Sequence, residues 1–232
     1  MLTKTQQAIA EDRSVYHNRV KSAAIMSKTE LAVKNSTNAK LGKKIKRGWL
    51  KGYEIKTVTL EERATCPASC VHYKDCFGNN MYLATRYAVD EYLVPQIEFA
   101  LFQHSAKHPA GFLVRLHILG DFFSVDYVKQ WETWLEMFPN MSVYGYTGRI
   151  DGDDITKELQ RLRDKFGMRF AVRWSGDQTR DFSALSMDDP RTVAKVEAKQ
   201  AFVCPEQTGK TSGCDTCGLC WTSTKPVAFI TH

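Results

Sequence analysis

Residues 112–147 read FLVRLHILGDFFSVDYVKQWETWLEMFPNMSVYGYT, and within them the hydrophobic period changes twice. Residues 112–119 are an apolar run ended by Gly120, which predicts a buried strand. Residues 124–138 place Val125, Val128, Trp131, Trp134, Leu135 and Phe138 on one helical face, with Ser124 positioned to cap the first turn. Residues 141–147 return to a strand pattern. The alternation continues with a helix over 153–166, capped by Asp153 or Asp154, and a strand over 168–174, MRFAVRW, ended by Ser175-Gly176. Strand–helix–strand–helix–strand predicts an α/β fold with parallel strands and right-handed crossovers. Such sheets bind ligands at the carboxyl ends of their strands. Those ends are Gly120-Asp121, Thr147-Gly148-Arg149 and Ser175-Gly176-Asp177, each a glycine beside a polar or charged residue.

Outward from this core, residues 53–60, YEIKTVTL, alternate and are β-rich, so they read as a preceding strand. Residues 79–105 read as a long helical pattern that Pro95 breaks or kinks. Residues 1–35 read as polar and helical, 36–50 as a basic loop, 188–203 as a final helix, and the tail KPVAFITH as a last strand. No internal repeat is present. The chain of 232 residues divides into a basic N-terminal segment (1–57), an α/β core (58–187) and a cysteine-rich C-terminal extension (188–232). Its 43% hydrophobic and 25% charged residues suit a globular protein. No stretch approaches the roughly 18 apolar residues of a membrane span. The first residues, MLTKTQQAIAEDR, lack the apolar core of a secretory signal. The expectation is a cytoplasmic protein with no membrane partner.

In a reducing compartment, clustered cysteines bind metal more often than they pair. The seven here form two groups: Cys66, Cys70 and Cys76, then Cys204, Cys214, Cys217 and Cys220. The second group, in CPEQTGKTSGCDTCGLCW, has three cysteines spaced by two and one remote, the pattern of ferredoxin-type ligation of a [4Fe–4S] cluster. Gly213 and Gly218 permit the tight turns. Structural zinc is the rival, because four cysteines also suit a tetrahedral ion, although zinc ribbons usually show two separate CxxC pairs. The first group, in TCPASCVHYKDCFGNN, offers three thiolates, which would leave one iron of a [4Fe–4S] cluster open to a substrate or cofactor. His72, His117 and His232 are conceivable further ligands, though a loop histidine such as His72 is more often solvated and a strand histidine such as His117 more often a buried, hydrogen-bonded one. The Asp151-Gly152-Asp153-Asp154 and Asp188-Asp189-Pro190 runs read as caps and turns rather than divalent-metal sites.

The net charge of +6 is unevenly spread: residues 1–57 hold 13 Lys and Arg against 4 Asp and Glu. The excess gathers in NAKLGKKIKRGWLKGYEIK, residues 38–56. Lys43, Lys44, Lys46, Arg47 and Lys51 could neutralise phosphates, and Trp49 and Tyr53 among them could stack on bases. The partner implied is a nucleotide or nucleic acid; the alternative is a solvated basic segment.

Taken together, the three-cysteine loop after the strand at 53–60, the turn in RLHILGDFFS and the strand end in MSVYGYTGR resemble the radical S-adenosylmethionine superfamily. That resemblance implies a partial (β/α) barrel, a cluster on Cys66, Cys70 and Cys76, and S-adenosylmethionine held near Gly120, Asp121, Thr147 and Arg149. Asp121 would take the cofactor's amino group and Arg149 its carboxylate. It also implies a cysteine-rich extension with an auxiliary cluster. The superfamily's usual cysteine spacing is x3 then x2, whereas here it is x3 then x5, and Asp121 stands in place of a glutamate. A narrower resemblance, carried by NAKLGKKIKRGW, TCPASC with Cys76-Phe77-Gly78, RLHILGDF, VYGYTGR and CDTCGLCW, is to the phage gene product 88-like proteins. It implies a setting in phages or mobile elements, without a reaction.

Two functions are therefore expected as alternatives. One is a radical S-adenosylmethionine enzyme acting on a nucleotide or nucleic acid. The other is a non-catalytic iron–sulfur-dependent DNA- or RNA-binding protein or redox-responsive regulator.

Overall fold

A computed structural model describes residues 2–25, 32–150 and 152–230. Its elements in chain order are α1 (Lys4–Ala10), β1 (Val20–Lys21), β2 (Lys34–Asn35), β3 (Glu54–Thr57), β4 (Arg86–Tyr87), α2 (Leu93–Lys107), β5 (Phe112–Leu116), α3 (Val125–Met137), β6 (Met141–Thr147), α4 (Asp154–Phe166), β7 (Phe170–Ser175), β8 (Ser183–Ser186), α5 (Pro190–Glu197), β9 (Phe202–Val203), the one-turn helices α6 (Cys214–Cys217) and α7 (Leu219–Thr222), and β10 (Val227–Phe229).

Among these residues one sheet has the order β2-β3-β5-β6-β7-β8-β10-β9, and only the edge pair β2–β3 is antiparallel. The fold is thus mixed α/β with a mostly parallel sheet, as the alternating pattern predicts. From β3 to β8 neighbours follow chain order, so same-handed crossovers stack α2, α3 and α4 on one face. The sheet stays open: β2 and β9 are its two edges, and no closed barrel forms among the described residues. No described helix is long and apolar enough to cross a membrane.

Strand alternation divides the core. Phe112, Val114, Leu116, Val143 and Val172 face the helices, where Trp131 and Trp134 pack. Leu113, Tyr144 and Ala171 face the other way, where Leu41, Ile45 and Leu50 meet Cys220 and Trp221. The second face of the sheet is therefore covered by the basic N-terminal stretch and the cysteine-rich C-terminal stretch. Both faces are buried, which is why the central strands read as near-continuous apolar runs.

The expected caps form: the Ser124 hydroxyl accepts from Tyr127 N, and the Asp153 carboxylate accepts from Thr156 N. Three expectations need correction. The helix expected over 79–105 starts only at Leu93, because Pro95 lies in its first turn, where its missing N–H costs nothing. Residues 79–92 form turns and β4 instead. Among the described residues, helix near the N-terminus is confined to α1 and short 3-10 turns, and the last expected helix stops at Glu197, with β9 following. His232 and Asp151 lie outside the described residues.

Candidate functional site

The first cysteine loop leaves β3 and lies across the carboxyl ends of its neighbours. Three glycines make room for it. A Cβ at Gly120 would stand 2.6 Å from Thr65 Oγ1, one at Gly148 3.3 Å from Cys70 Sγ, and one at Gly176 3.3 Å from Val71 Cγ1. The glycines at the ends of β5, β6 and β7 are thus explained by the loop that crosses them, and Gly120, at φ +82°, also needs its conformational freedom. Gly120, Asp121, Thr147, Gly148, Arg149 and Gly176 come together here, whereas Asp177 bonds within its own turn to Thr179 and Arg180.

Asp121 is the hub. Its Oδ1 accepts from Phe122 N at 2.7 Å and Thr147 Oγ1 at 2.8 Å, and its Oδ2 accepts from Gly148 N at 2.7 Å. Its own N–H donates to Thr65 Oγ1 at 3.1 Å, just before Cys66. Burial pushes its carboxyl up to about 6, against the opposing pull of those donors and of Arg149. Arg149 is committed to this frame: it donates to Phe122 O and, at 3.3 Å, to Thr65 O, and pairs with Asp153 at 3.2 Å. Asp121 and Arg149 therefore join β5, β6 and the cysteine loop, whatever else they hold.

Two buried arginines, which the sequence did not mark, fix the rest of the loop. Arg63 donates to Tyr73 O, Arg13 O and Asn79 Oδ1. Arg86, fully buried, binds Glu62 through two N–H groups at 2.7 and 3.1 Å and donates to Gly78 O, Met81 O and Ala84 O. The only sequence signal was Glu61-Glu62-Arg63, a charged run directly after apolar Val58 and Leu60. The loop is thus shaped by protein hydrogen bonds. The thiols it carries are free. Burial pushes Cys66, Cys70 and Cys76 all upward, and Asp121 adds to the shift at Cys66 and Cys70.

The second group sits on the face of the sheet opposite α2, α3 and α4. Cys204, Cys214, Cys217 and Cys220 line one small cavity with Pro205 and Trp221. Gly218, at φ +72°, ends α6 and begins α7, so that Cys217 and Cys220 reach the same cavity from successive turns. Tyr146 OH donates to Cys220 Sγ at 3.0 Å, and the Trp221 ring lies 4.8 Å from that of Tyr144. Arg173 rises fully buried from β7 and donates to five carbonyls, among them Leu219 O, Cys220 O and Ser223 O. Burial, then the neighbouring Cys220 and Cys204, push the Cys214 thiol up to about 12, and burial also raises Cys217 and Cys220.

Among the described residues no three His, Cys, Asp or Glu side chains stand close enough to hold a single ion as they are. Tetrahedral zinc, with bonds near 2.3 Å, would require sulfurs about 3.8 Å apart. Four thiols lining one cavity are a donor set that suits either a tetrahedral ion or a four-iron cluster. Thiols raised by burial and by each other suit a bound cation, which deprotonates them outright. His72 is exposed and 3.7 Å from Asp75. His117 is a core residue, with Nε2 3.1 Å from Tyr127 OH and its ring edge-on to Phe122, and burial lowers it to about 3.

In the basic stretch, Lys43, Lys44, Lys46, Arg47, Trp49 and Lys51 are exposed. Lys46 pairs with Asp215 at 2.9 Å. Tyr53 is half-buried, with its ring lying over Gly111, where a Cβ would stand 2.1 Å from Cζ.

Residues 30–154 match the model of the family described as Gene product 88. That stretch includes the basic block, the first cysteine group, Asp121, Thr147 and Arg149, and ends before the second group. The "Gene 88 protein" of Mycobacterium phage L5 is 29% identical over 138 residues, covering 54% of this chain and 57% of that protein. The match therefore spans little more than half the length of that curated relative. No solved structure matches.

Proposed function

The chain belongs to the Gene product 88 family, and we propose from that premise that it is an iron–sulfur protein of phage or mobile-element type with a radical-S-adenosylmethionine-like core. The observation that carries this reading is the position of the first cysteine loop. It crosses the carboxyl ends of parallel strands in consecutive order, with Gly148 against Cys70 and Asp121 beneath. In this reading 58–187 is the core, with Cys66, Cys70 and Cys76 holding one [4Fe–4S] cluster. Residues 188–232 are the extension, with Cys204, Cys214, Cys217 and Cys220 holding a second.

When bound at the first site with S-adenosylmethionine, such a cluster supplies one-electron chemistry. The chain's own residues position it. Asp121, held by three donors, sets the spacing of β5 and β6 and presents a carboxylate toward the loop. Gly120, Thr147 and Arg149 complete that wall, and the buried Arg86–Glu62 pair keeps the Cys76 end of the loop from shifting.

A second reading, an iron–sulfur-dependent DNA- or RNA-binding protein without catalysis, is favoured by a different observation. Lys43, Lys44, Arg47, Trp49 and Lys51 share one exposed stretch, none of them in an ion pair among the described residues. Electron paramagnetic resonance of the reduced protein separates the two. A signal from the first cluster that changes on adding S-adenosylmethionine, and disappears in Cys70→Ala, supports the enzyme. An unchanged signal removes the cofactor and leaves the binding protein.

A further inference from the structure

The basic stretch is a hairpin docked on the second cysteine group. Ile45 N donates to Tyr53 O at 2.9 Å, Gly52 N to Ile45 O at 2.8 Å and Ile55 N to Lys43 O at 2.8 Å. Ile45, Leu50 and Ile55 point into the core, which leaves Arg47, Trp49 and Lys51 at the tip and Lys43 and Lys44 along one leg. Trp49 is 54% exposed, whereas the other four tryptophans are at most 2% exposed. A large indole left in water among four cations has the makings of a stacking platform between phosphate contacts.

The hairpin owes its position to Asp215, the residue after Cys214. Lys46 N donates to Asp215 O at 2.8 Å, and Lys46 Nζ pairs with its carboxylate at 2.9 Å. Gly42, at φ +78°, leaves the space that carboxylate fills: a Cβ there would stand 2.4 Å from Asp215 Oδ2. In the turn before the hairpin, Lys40 O accepts from Cys214 N at 2.8 Å, and Lys40 Nζ pairs with Glu206, two residues after Cys204, at 2.5 Å. The hairpin is thus tied to the cysteine segment at Lys40, Gly42 and Lys46.

We propose that the hairpin at residues 42–52 is a docking surface for single-stranded nucleic acid and forms one unit with the second cysteine group through Asp215. This rests on the nucleic-acid reading above and adds strand type, stacking residue and latch. Asp215 makes the claim separable from simple charge attraction. Removing an acid raises the net positive charge, so electrostatics alone predicts tighter binding by Asp215→Ala, whereas loss of the latch predicts weaker binding.

The test is fluorescence anisotropy of a labelled single-stranded oligonucleotide across a salt series, with duplex DNA and anionic phosphatidylserine vesicles as competitors. Wild type is expected to prefer the single strand. Trp49→Ala should lose roughly tenfold in affinity with an unchanged salt slope. Arg47→Ala with Lys51→Ala should reduce the slope by about 1.4. Asp215→Ala should weaken binding several-fold, and so should Gly42→Ala, which presses on the same latch from the hairpin side, both with wild-type circular dichroism. Equal or tighter binding by both latch variants, or equal competition by duplex or vesicles, overturns the proposal. If wild type binds the oligonucleotide but these variants do not differ, this inference alone fails. If wild type does not bind at all, the nucleic-acid reading fails with it.

Discussion

Arg173 is the side chain on which the cysteine-rich segment depends most. It is fully buried, faces no carboxylate among the described residues, and spends its N–H groups on the carbonyls of Ser183, Leu219, Cys220, Ser223 and Lys225 at 2.6–3.4 Å. It also lies 4.0 Å over the Phe182 ring. Replacing it with Met keeps most of the volume and removes every donor. Hydrogen bonds to a charged group contribute roughly 1.5–3 kcal/mol each. Removing the burial cost of the guanidinium offsets much of that sum, but each buried carbonyl left unpaired costs roughly 1–3 kcal/mol, so a net loss of about 4 kcal/mol is expected. For a chain of this size, about 4 kcal/mol corresponds to a Tm drop on the order of 10 °C. Thermal unfolding followed by circular dichroism reads this directly. Near-ultraviolet signals from Trp221 and Tyr144 should weaken in the native baseline, because the carbonyls freed are those of α7. Arg173→Lys should recover little, since an ammonium cannot reach five acceptors. A variant Arg173→Met within about 1 kcal/mol of wild type would refute the reasoning.

Three further perturbations follow from the geometry. Burial lowers His104 to about 4, so the unfolded chain binds its proton first; stability is fully present above pH 6.5 and falls by about 3 kcal/mol as pH drops toward 4. His104→Gln, which can still donate to Val33 O, should flatten part of that slope in urea titrations at successive pH values; an unchanged slope contradicts the assignment. Arg86→Met breaks the buried pair with Glu62 and frees Gly78 O, costing about 3–5 kcal/mol, and should speed labelling of Cys76 by a thiol reagent; unaltered labelling would mean the loop is held some other way. Gly145→Ala places a Cβ 2.0 Å from Leu116 O of the adjoining strand, so it should destabilise by about 3 kcal/mol in denaturant unfolding, and a neutral result would contradict the register of β5 on β6.

The stretch from Phe112 to Ser175 was legible because each strand there is buried on both faces and each helix has a polar cap in sequence. Ser124 and Asp153 act as those caps. The region from 79 to 92 was not, because its shape comes from Arg86 reaching three carbonyls, and side-chain-to-backbone bonds leave no period in a sequence. Strands β2 and β8 are too short to show an alternation, and β8 exists because β7 and β10 flank it. At the candidate site, the three strand-end glycines and Asp121 were visible as an unusual set. What they do, which is to clear and brace the crossing cysteine loop, depends on contacts made only once β5, β6 and β7 lie side by side.

The central claim, that the seven cysteines hold iron–sulfur clusters, is tested most directly by purifying the protein without oxygen and measuring iron, acid-labile sulfide and zinc per chain. Two cubane clusters predict about eight irons and about eight sulfides with no stoichiometric zinc. Zinc without sulfide, or a folded protein with neither metal, would contradict the claim and the one-electron chemistry built on it.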